Sequence, residues 1–190
     1  DEQQRDMMTS VFKSQIPAME KSDFLVMFEP VGATAQPIVI TQNEFMRRMK
    51  DMAAIQSGMA FYGELPDSYN LIVNTDHPLS QKVIADTESA CKSELTPILD
   101  ELKTVNEEIE RLQEAKKDKK DDEIPVADKE ALKHAEEKAK ELRAKESDIL
   151  KTYADRTPLV RQLVDLALLS NNMLKGEALS KFIKRSVEML

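Results

Sequence analysis

The hydrophobic and polar positions of residues 157–190 form two helical patterns separated by a polar break. Eight of the eleven residues from Leu159 to Leu169 are apolar, so the apolar surface of the first predicted helix extends most of the way around it. A second helix follows Gly176, with apolar residues at helical spacing: Leu179, Phe182, Ile183, Val187 and Leu190. Two short helices cannot bury this surface alone, whereas two copies of the pair can, as a four-helix bundle.

We therefore predict that the C-terminal helix pair forms the interface of a homodimer. One side of each helix would pack on the chain's own core and another side on the second copy. The predicted interface residues are Leu159, Leu163, Leu166, Leu169, Leu179, Phe182, Ile183 and Val187.

The first ninety residues alternate between helical and strand-like patterns. Apolar residues at helical spacing predict a helix from Gln4 to Ile16, which Pro17 ends. Three short runs, rich in β-branched or aromatic residues and bounded by turn formers, predict the strands of one small sheet. They cover residues 24–28, 37–41 and 69–74. The sequence thus predicts an α+β fold with helices flanking a three-stranded sheet.

A second predicted helix, Glu44–Ile55, has an apolar face rich in methionine. Thr41-Gln-Asn-Glu44 resembles a capping box, in which the Thr41 hydroxyl accepts a hydrogen bond from the Glu44 amide. Two interpretations of the apolar face stay open: it covers the sheet, or part of it is exposed as an adaptable surface for partners. The residues concerned are Phe45, Met46, Met49 and Met52.

The segments on either side of the third strand have different characters. Residues 57–66 contain two glycines and end in a proline, which predicts a mobile loop with Phe61 and Tyr62 as its conspicuous residues. After the strand, a helix start is predicted in which Asp76 caps, Pro78 lies in the first turn, and apolar residues face inward. Those residues are Leu79, Val83 and Ile84.

His77 has no second His or Cys near it, which favours a structural role over a metal-binding one.

Residues 92–156 differ in kind and predict an inserted antiparallel coiled-coil hairpin. The first limb has apolar residues at alternating spacings of three and four: Leu95, Ile98, Leu102, Val105, Ile109 and Leu112. The return limb places Leu132, Ala135, Ala139, Leu142, Ile149 and Tyr153 on a similar seam, which Glu146 interrupts. The charged run 116–123 between the limbs is predicted to be a solvated turn. The predicted parts are therefore an α+β body (1–91), this hairpin (92–156) and the dimerisation helices (157–190).

Composition narrows the possible functions. The 190 residues are 41% hydrophobic and 33% charged, with a net charge of −8, which disfavours nucleic-acid binding because that requires a basic face. No apolar run approaches the ~18 residues of a membrane span, so no membrane contact is expected. The single Cys91 favours a reducing, cytoplasmic compartment. Because the chain opens on Asp1 rather than Met, we expect a fragment of a longer protein.

The sequence lacks the arrangements that are typical of enzymes. It contains four glycines, no glycine-rich phosphate loop and no base partner for Cys91. Its acidic residues lie on charged helices rather than at the ends of a hydrophobic cleft. We therefore expect no catalytic, cofactor or metal site in this chain.

Three motifs, taken in order, resemble the C-terminal domain of the heat-shock protein 90 chaperones. They are Asn74-Thr-Asp-His-Pro-Leu79 after a strand, Leu163-Val-Asp-Leu-Ala-Leu-Leu169, and the final Phe182-Ile-Lys-Arg-Ser-Val-Glu-Met-Leu190. The resemblance covers residues 1–91 and 157–190. The hairpin has no counterpart in the short connection that is usual there.

The resemblance implies a domain whose last two helices form the constitutive dimer interface of an ATP-driven chaperone. It implies that ATP and magnesium bind in an N-terminal domain, completed by an arginine of a middle domain, so no nucleotide residue is assigned here. It further implies that the helix matching Glu44–Ile55 offers Phe45, Met49 and Met52, together with Met46, to unfolded or partly folded client proteins. The runner-up is a dimeric structural adaptor that binds partners through its hairpin. A hydrolase would need a nucleophile–base pair, which the sequence lacks.

Overall fold

The computed structural model describes residues 2–56, 58, 60–117 and 125–190. These residues form seven helices and three strands, which confirms the predicted α+β class. In chain order they are α1 (Glu2–Gln15), β1 (Ser22–Glu29), β2 (Ile38–Gln42), α2 (Glu44–Ala53), α3 (Ala60–Glu64), β3 (Asp67–Asn74), α4 (Pro78–Lys116), α5 (Val126–Arg156), α6 (Pro158–Ser170) and α7 (Gly176–Glu188). The chain divides into two compact units, Asp1–Thr87 with Tyr153–Leu190, and Glu88–Thr152. The predicted three-part division stays a prediction.

The sheet of the first unit has the order β1-β3-β2. The central strand β3 runs parallel to β1 and antiparallel to β2, and its Leu71 lies opposite both Val26 and Ile40. Since side chains alternate between the faces of a strand, these residues share one face with Val73 and Ile38, and all five are buried. The three predicted strands are confirmed, with ends shifted by at most two residues.

Helices α1 and α6 cover that face of the sheet and form the core with it. In α1, helical spacing brings Met8, Val11 and Phe12 to one side, and all three are at most 1% exposed. Phe12 meets Phe28 of β1 edge to face, with 6.4 Å between ring centroids. The fully buried residues of α6 are Val160, Val164 and Leu168. The predicted first helix, Gln4–Ile16, is thereby confirmed to within two residues.

Asn74 organises the connection between β1 and β2 from the end of β3. It is completely buried, yet its side-chain Oδ1 accepts from the amides of Val31 and Asp76, while Nδ2 donates to the carbonyls of Gly32 and Gln36. Every hydrogen-bonding position of this amide is thus filled. The Asn-Thr-Asp-His-Pro motif therefore has a structural basis in this loop.

Asp76 does not cap α4, so that prediction is wrong. Its Oδ2 instead accepts from the amide of Gly32, whose φ of +102° is a conformation that favours glycine. Because Pro78 is the first helical residue, the capping position falls on His77, whose Nδ1 accepts from the Leu79 amide at 3.1 Å. This bond gives His77 a local structural role. Leu79 is 39% exposed rather than inward-facing, whereas Val83 is buried.

The predicted capping box of α2 is also wrong. Thr41 and Gln42 still pair with β3, and the Asn43 amide donates to the Ser68 carbonyl, so the chain stays extended up to Asn43. Asn43 is therefore the N-cap, and its Oδ1 accepts from the Met46 amide at 3.1 Å. The predicted loop at 57–66 contains the five-residue helix α3, which packs against α2.

The second unit consists of the adjoining parts of α4 and α5. Its apolar core comprises Leu102, Ala139 and Leu142, with Ile98, Val105 and Ile109 packed against them, which confirms this part of the predicted seam. Further along α5 the seam shifts by one residue, because Leu150 is fully buried and Ile149 is only partly so. Helix α4 continues through Pro97, so the first limb of the hairpin lies on the same helix that begins at Pro78. Residues 118–123 of the predicted charged turn lie outside the described residues.

Candidate functional site

Helix α2 is attached to the domain largely through polar groups. Lys50 Nζ lies 2.7 Å from Asp67 Oδ1, at the first residue of β3. The Asn43 amide adds a 2.9 Å hydrogen bond to the Ser68 carbonyl. No residue of α2 is buried, although a surface helix ordinarily buries its apolar face.

The apolar face of α2 is consequently open to solvent over much of its length. Phe45 is 63% exposed and Met52 40%, while Met46 and Met49 are partly buried. The interpretation that this face simply covers the sheet therefore fails for Phe45 and Met52.

Two residues beyond α2 enlarge its exposed apolar area, and sequence reasoning did not select them for a site. Ile55 is 85% exposed, and Phe61 of α3 is 69% exposed. The Phe61 ring meets the Tyr62 ring edge to face at 5.9 Å. We call Phe45, Met49, Met52, Ile55 and Phe61 the α2–α3 surface. The sequence signal was the pair Phe61-Tyr62 itself, because large aromatic side chains contribute strongly to cores and interfaces.

The opposite side of α2 carries its charges. Arg47 bonds to Glu44 at 3.0 Å and to Asp51 at 2.9 Å. The hydrogen bonding of Arg47 to Glu44 lowers the pKa of the Glu44 carboxyl group and raises the pKa of the Arg47 guanidinium group. Because these side chains are exposed, the pairs support the helix only modestly.

The terminal helices α6 and α7 form a second apolar surface. Leu166 is 43% exposed, Ile183 54% and Val187 67%, and no residue of α7 is buried. The other predicted interface residues that stay partly accessible are Leu159, Leu169, Leu179 and Phe182. We call these seven residues the α6–α7 surface. The eighth, Leu163, is already 3% exposed within this chain, so a partner docking on the surface would not reach it.

A polar network links α6 to α7, and the sequence analysis did not identify it. Arg185 Nη2 of α7 lies 2.5 Å from Asp165 Oδ2, and Arg161 Nε lies 3.1 Å from the same oxygen. Arg185 Nε also donates to Gln162 Oε1, whose amide group donates to Ser186 Oγ. The sequence could have indicated this network through Asp165, because an acidic residue within an otherwise apolar run is unusual and needs a partner when it is buried.

The described residues offer little that is suited to catalysis or metal binding. Within them, no group of three or more His, Cys, Asp or Glu side chains is arranged to hold a metal ion. Cys91 is buried, and burial raises the pKa of its thiol, which opposes nucleophilic reactivity. Among the same residues, no helix combines the length and apolar character needed to cross a membrane.

The sequence is similar over nearly its entire length to curated chaperones. It is 47% identical over 188 residues to the chaperone protein HtpG of Bacteroides thetaiotaomicron, which covers 99% of this chain and 28% of that protein. It is 47% identical over 186 residues to the HtpG chaperone of Bacteroides fragilis strain 638R, covering 98% and 27%. The HtpG chaperone of Porphyromonas gingivalis strain ATCC 33277 is 44% identical over 187 residues, again covering 98% and 27%. No protein-family model matches the sequence, and no solved structure matches it.

The chain spans little more than a quarter of the length of these relatives. Since the matches cover 98–99% of the chain, they extend through residues 92–156 as well as through the two flanking parts. The extent of the match is consistent with the single C-terminal domain that the motifs indicated. By this similarity, nearly the whole chain is related to one part of the HtpG chaperones of these bacteria.

Proposed function

We propose that this chain is the dimerisation domain of an HtpG chaperone and that it also offers an apolar surface to unfolded clients. The observation that carries the proposal is the exposure of α7, an apolar-striped helix with no buried residue in this chain. A helix of this kind gains most of its stability by covering its apolar face. A second copy of the α6–α7 surface would supply that cover.

The α6–α7 surface has the character of a self-complementary interface. Its most exposed apolar residues come from both helices, with Leu166 on α6 and Ile183 and Val187 on α7. Two copies of the α6–α7 helix pair, packed about a twofold axis, place the same residues on both sides of the contact. The four helices would then enclose an apolar core, as in other four-helix bundles.

The α2–α3 surface supports the client-binding part of the proposal. Unfolded chains present varied apolar side chains, and flexible methionine together with large aromatic rings can adapt to them. Met52 and Phe45 provide this combination on α2, and Phe61 extends it onto α3. The surface belongs mainly to a helix of which the domain fully buries no residue.

The remaining activities of the intact chaperone belong to the same proposal. ATP and magnesium would bind in parts of the protein outside this chain, which would itself contribute no catalytic residue. The single cysteine is compatible with the cytoplasm. The adaptor function of the hairpin stays a prediction. Replacing residues 95–149 with a short linker distinguishes this function from dimerisation. If the hairpin is an adaptor, the shortened protein loses its partners but still forms a dimer.

Sedimentation of this domain over a wide concentration range tests dimerisation. We expect a dimer that Leu166→Glu or Ile183→Glu converts to monomer, because each substitution places a charge in an apolar contact. Lys184→Glu is the matched control, since it introduces the same side chain at the neighbouring exposed position of α7. A wild-type monomer, or variants that all dimerise alike, would contradict the proposed interface.

Binding to a permanently unfolded protein tests the α2–α3 surface. Met49→Ser combined with Met52→Ser should weaken binding while the sedimentation of the dimer stays unchanged. Asp51→Ser on the same helix is the control, because the Asp51 side chain is 65% exposed and pairs with Arg47 on the charged side. Equal binding by all three proteins would remove this helix from the client site.

A further inference from the structure

Polar hydrogen bonds join α7 to the rest of the domain, and its apolar Leu179 and Phe182 are only partly buried. Arg185 donates to Asp165 and to Gln162, and Gln162 donates to Ser186. No α7 residue is buried, and its exposed apolar residues point away from this network. The orientation of α7 therefore depends strongly on these few polar contacts.

Asp165 is the centre of the network and an unusual residue for its place. It is 1% exposed, in the middle of a helix whose neighbouring buried residues are apolar. Oδ2 accepts from both Arg161 and Arg185, whereas Oδ1 is buried without a hydrogen-bond partner among the described residues. A buried carboxylate is tolerated only when cations compensate it, so Asp165 holds both guanidinium groups in place.

The network continues through Arg161 to α1. Arg161 Nη1 donates to the carbonyl of Gln15 at 2.9 Å, and Gln15 is the last residue of α1. A guanidinium group is favourable there because the C-terminal end of a helix carries partial negative charge. Gln15 Nε2 donates in turn to Asp155 Oδ1 of α5, again at 2.9 Å. A continuous chain of hydrogen bonds thus connects α7 with the C-terminal end of α1 and with the C-terminal end of α5.

Helix geometry relates Arg185 to the exposed stripe of α7. Residues two positions apart on a helix point in nearly opposite directions, about 200° apart. Ile183 and Val187 each lie two positions from Arg185, so the contact of Arg185 with Asp165 turns both of them away from the domain. A rotation of α7 that broke this contact would also turn the stripe away from its outward orientation.

We infer that Asp165 and Arg185 are positioning residues that fix the rotation of α7 on α6 and thereby set the affinity of the dimer. The inference rests on the proposed dimerisation. Neither residue needs to touch the second copy, because each acts by preparing the surface before the two copies meet. Preorganisation of this kind strengthens association without adding a contact.

The dissociation constant of the dimer, measured by sedimentation, tests the inference. We expect Arg185→Met to raise it by about tenfold or more, since a charged hydrogen bond contributes on that scale. Lys184→Met is the matched control, because it makes the same chemical change at an adjacent residue that lies outside the network. Asp165→Asn should weaken the dimer as Arg185→Met does. The double variant should weaken the dimer by less than the two single effects added together, because both changes break the Asp165–Arg185 contact.

Hydrogen exchange separates this inference from dimerisation itself. In a monomer made by Ile183→Glu, adding Arg185→Met should accelerate exchange of the α7 amides and leave the buried part of α6 protected. Arg185→Lys should restore part of the protection, since it retains the charge but not the forked geometry. Unchanged exchange in α7, or equal weakening by Lys184→Met, would overturn the inference. A monomeric wild-type chain would overturn the proposed dimer, while exchange would still decide the positioning role.

Discussion

Lys50 Nζ lies 2.7 Å from Asp67 Oδ1, and this ion pair joins α2 to the first residue of the central strand. Lys50 lies off the apolar face that Phe45, Met49 and Met52 define. The pair therefore holds the helix by its polar side and leaves its apolar face largely outward. Amphipathic helices ordinarily pack their apolar side against the protein and expose their polar side. The attachment of α2 by its polar side is therefore a structural requirement for the proposed client surface.

We predict that Lys50→Met loosens α2 without unfolding the sheet. The Lys50 side chain is 22% exposed and that of Asp67 39%, so the pair is only partly screened by water. Its loss should cost about 1 kcal/mol, equivalent to roughly fivefold faster hydrogen exchange in α2. Exchange of the α2 amides, compared with those of β3, measures the effect.

Arg48→Met is the control for that measurement. It removes a cation from the same helix, but the Arg48 side chain is 72% exposed and its 3.5 Å contact is with Glu44 on its own helix. Its effect on exchange should be small. If both variants loosened α2 equally, general loss of positive charge would explain the result and the anchoring role of Lys50 would be wrong.

The strands and the first helix were predictable because burial leaves a period in the sequence. Alternate residues of β3, such as Leu71 and Val73, lie on one buried face, and the period of two follows directly from the pleat. In α1, Met8 and Phe12 repeat at helical spacing for the same reason. The helix ends were less predictable, because the pairing of Gln42 with Tyr69 moves the cap from Thr41 to Asn43.

The candidate surfaces were predictable only in part. Periodicity identified the apolar faces of α2 and α7, but it does not say whether an apolar face lies inward or outward. Leu163 and Leu166 were assigned together, yet the first is buried in the domain and the second is 43% exposed. The Asp165–Arg185 contact joins residues twenty positions apart on different helices, and no local pattern encodes such a pair.

We predict that the hairpin requires a small residue at position 139. Ala139 is 4% exposed and packs with Leu102 and Leu142. Ala139→Leu should therefore force the limbs apart and lower the free energy of unfolding of this unit by about 1–3 kcal/mol. Urea unfolding followed by circular dichroism measures the change.

Ala131→Leu provides the comparison for Ala139→Leu. It makes the same substitution on the same helix at an exposed position, and leucine and alanine are both good helix formers. Its effect should stay within about 0.5 kcal/mol. Equal stability of the two variants would mean that the limbs tolerate a large residue at their contact, contrary to the packing of Ala139.

We predict that the Cys91 thiol is slow to react in the native protein. Cys91 is 3% exposed, and burial, reinforced by the charge of Glu94, raises the pKa of its thiol. Because the fold favours the protonated thiol, the contribution of Cys91 to the stability of the protein is fully present below the pKa of the unfolded thiol. This contribution is lost as the pH rises through the pKa of the thiol in the folded protein. Alkylation by iodoacetamide should be about 100-fold slower than in urea, since it requires local opening of α4.

The double variant Cys91→Ser with Ser93→Cys moves the thiol to an exposed position and should react rapidly. Equal rates for the two native proteins would show that the Cys91 site is open to solvent.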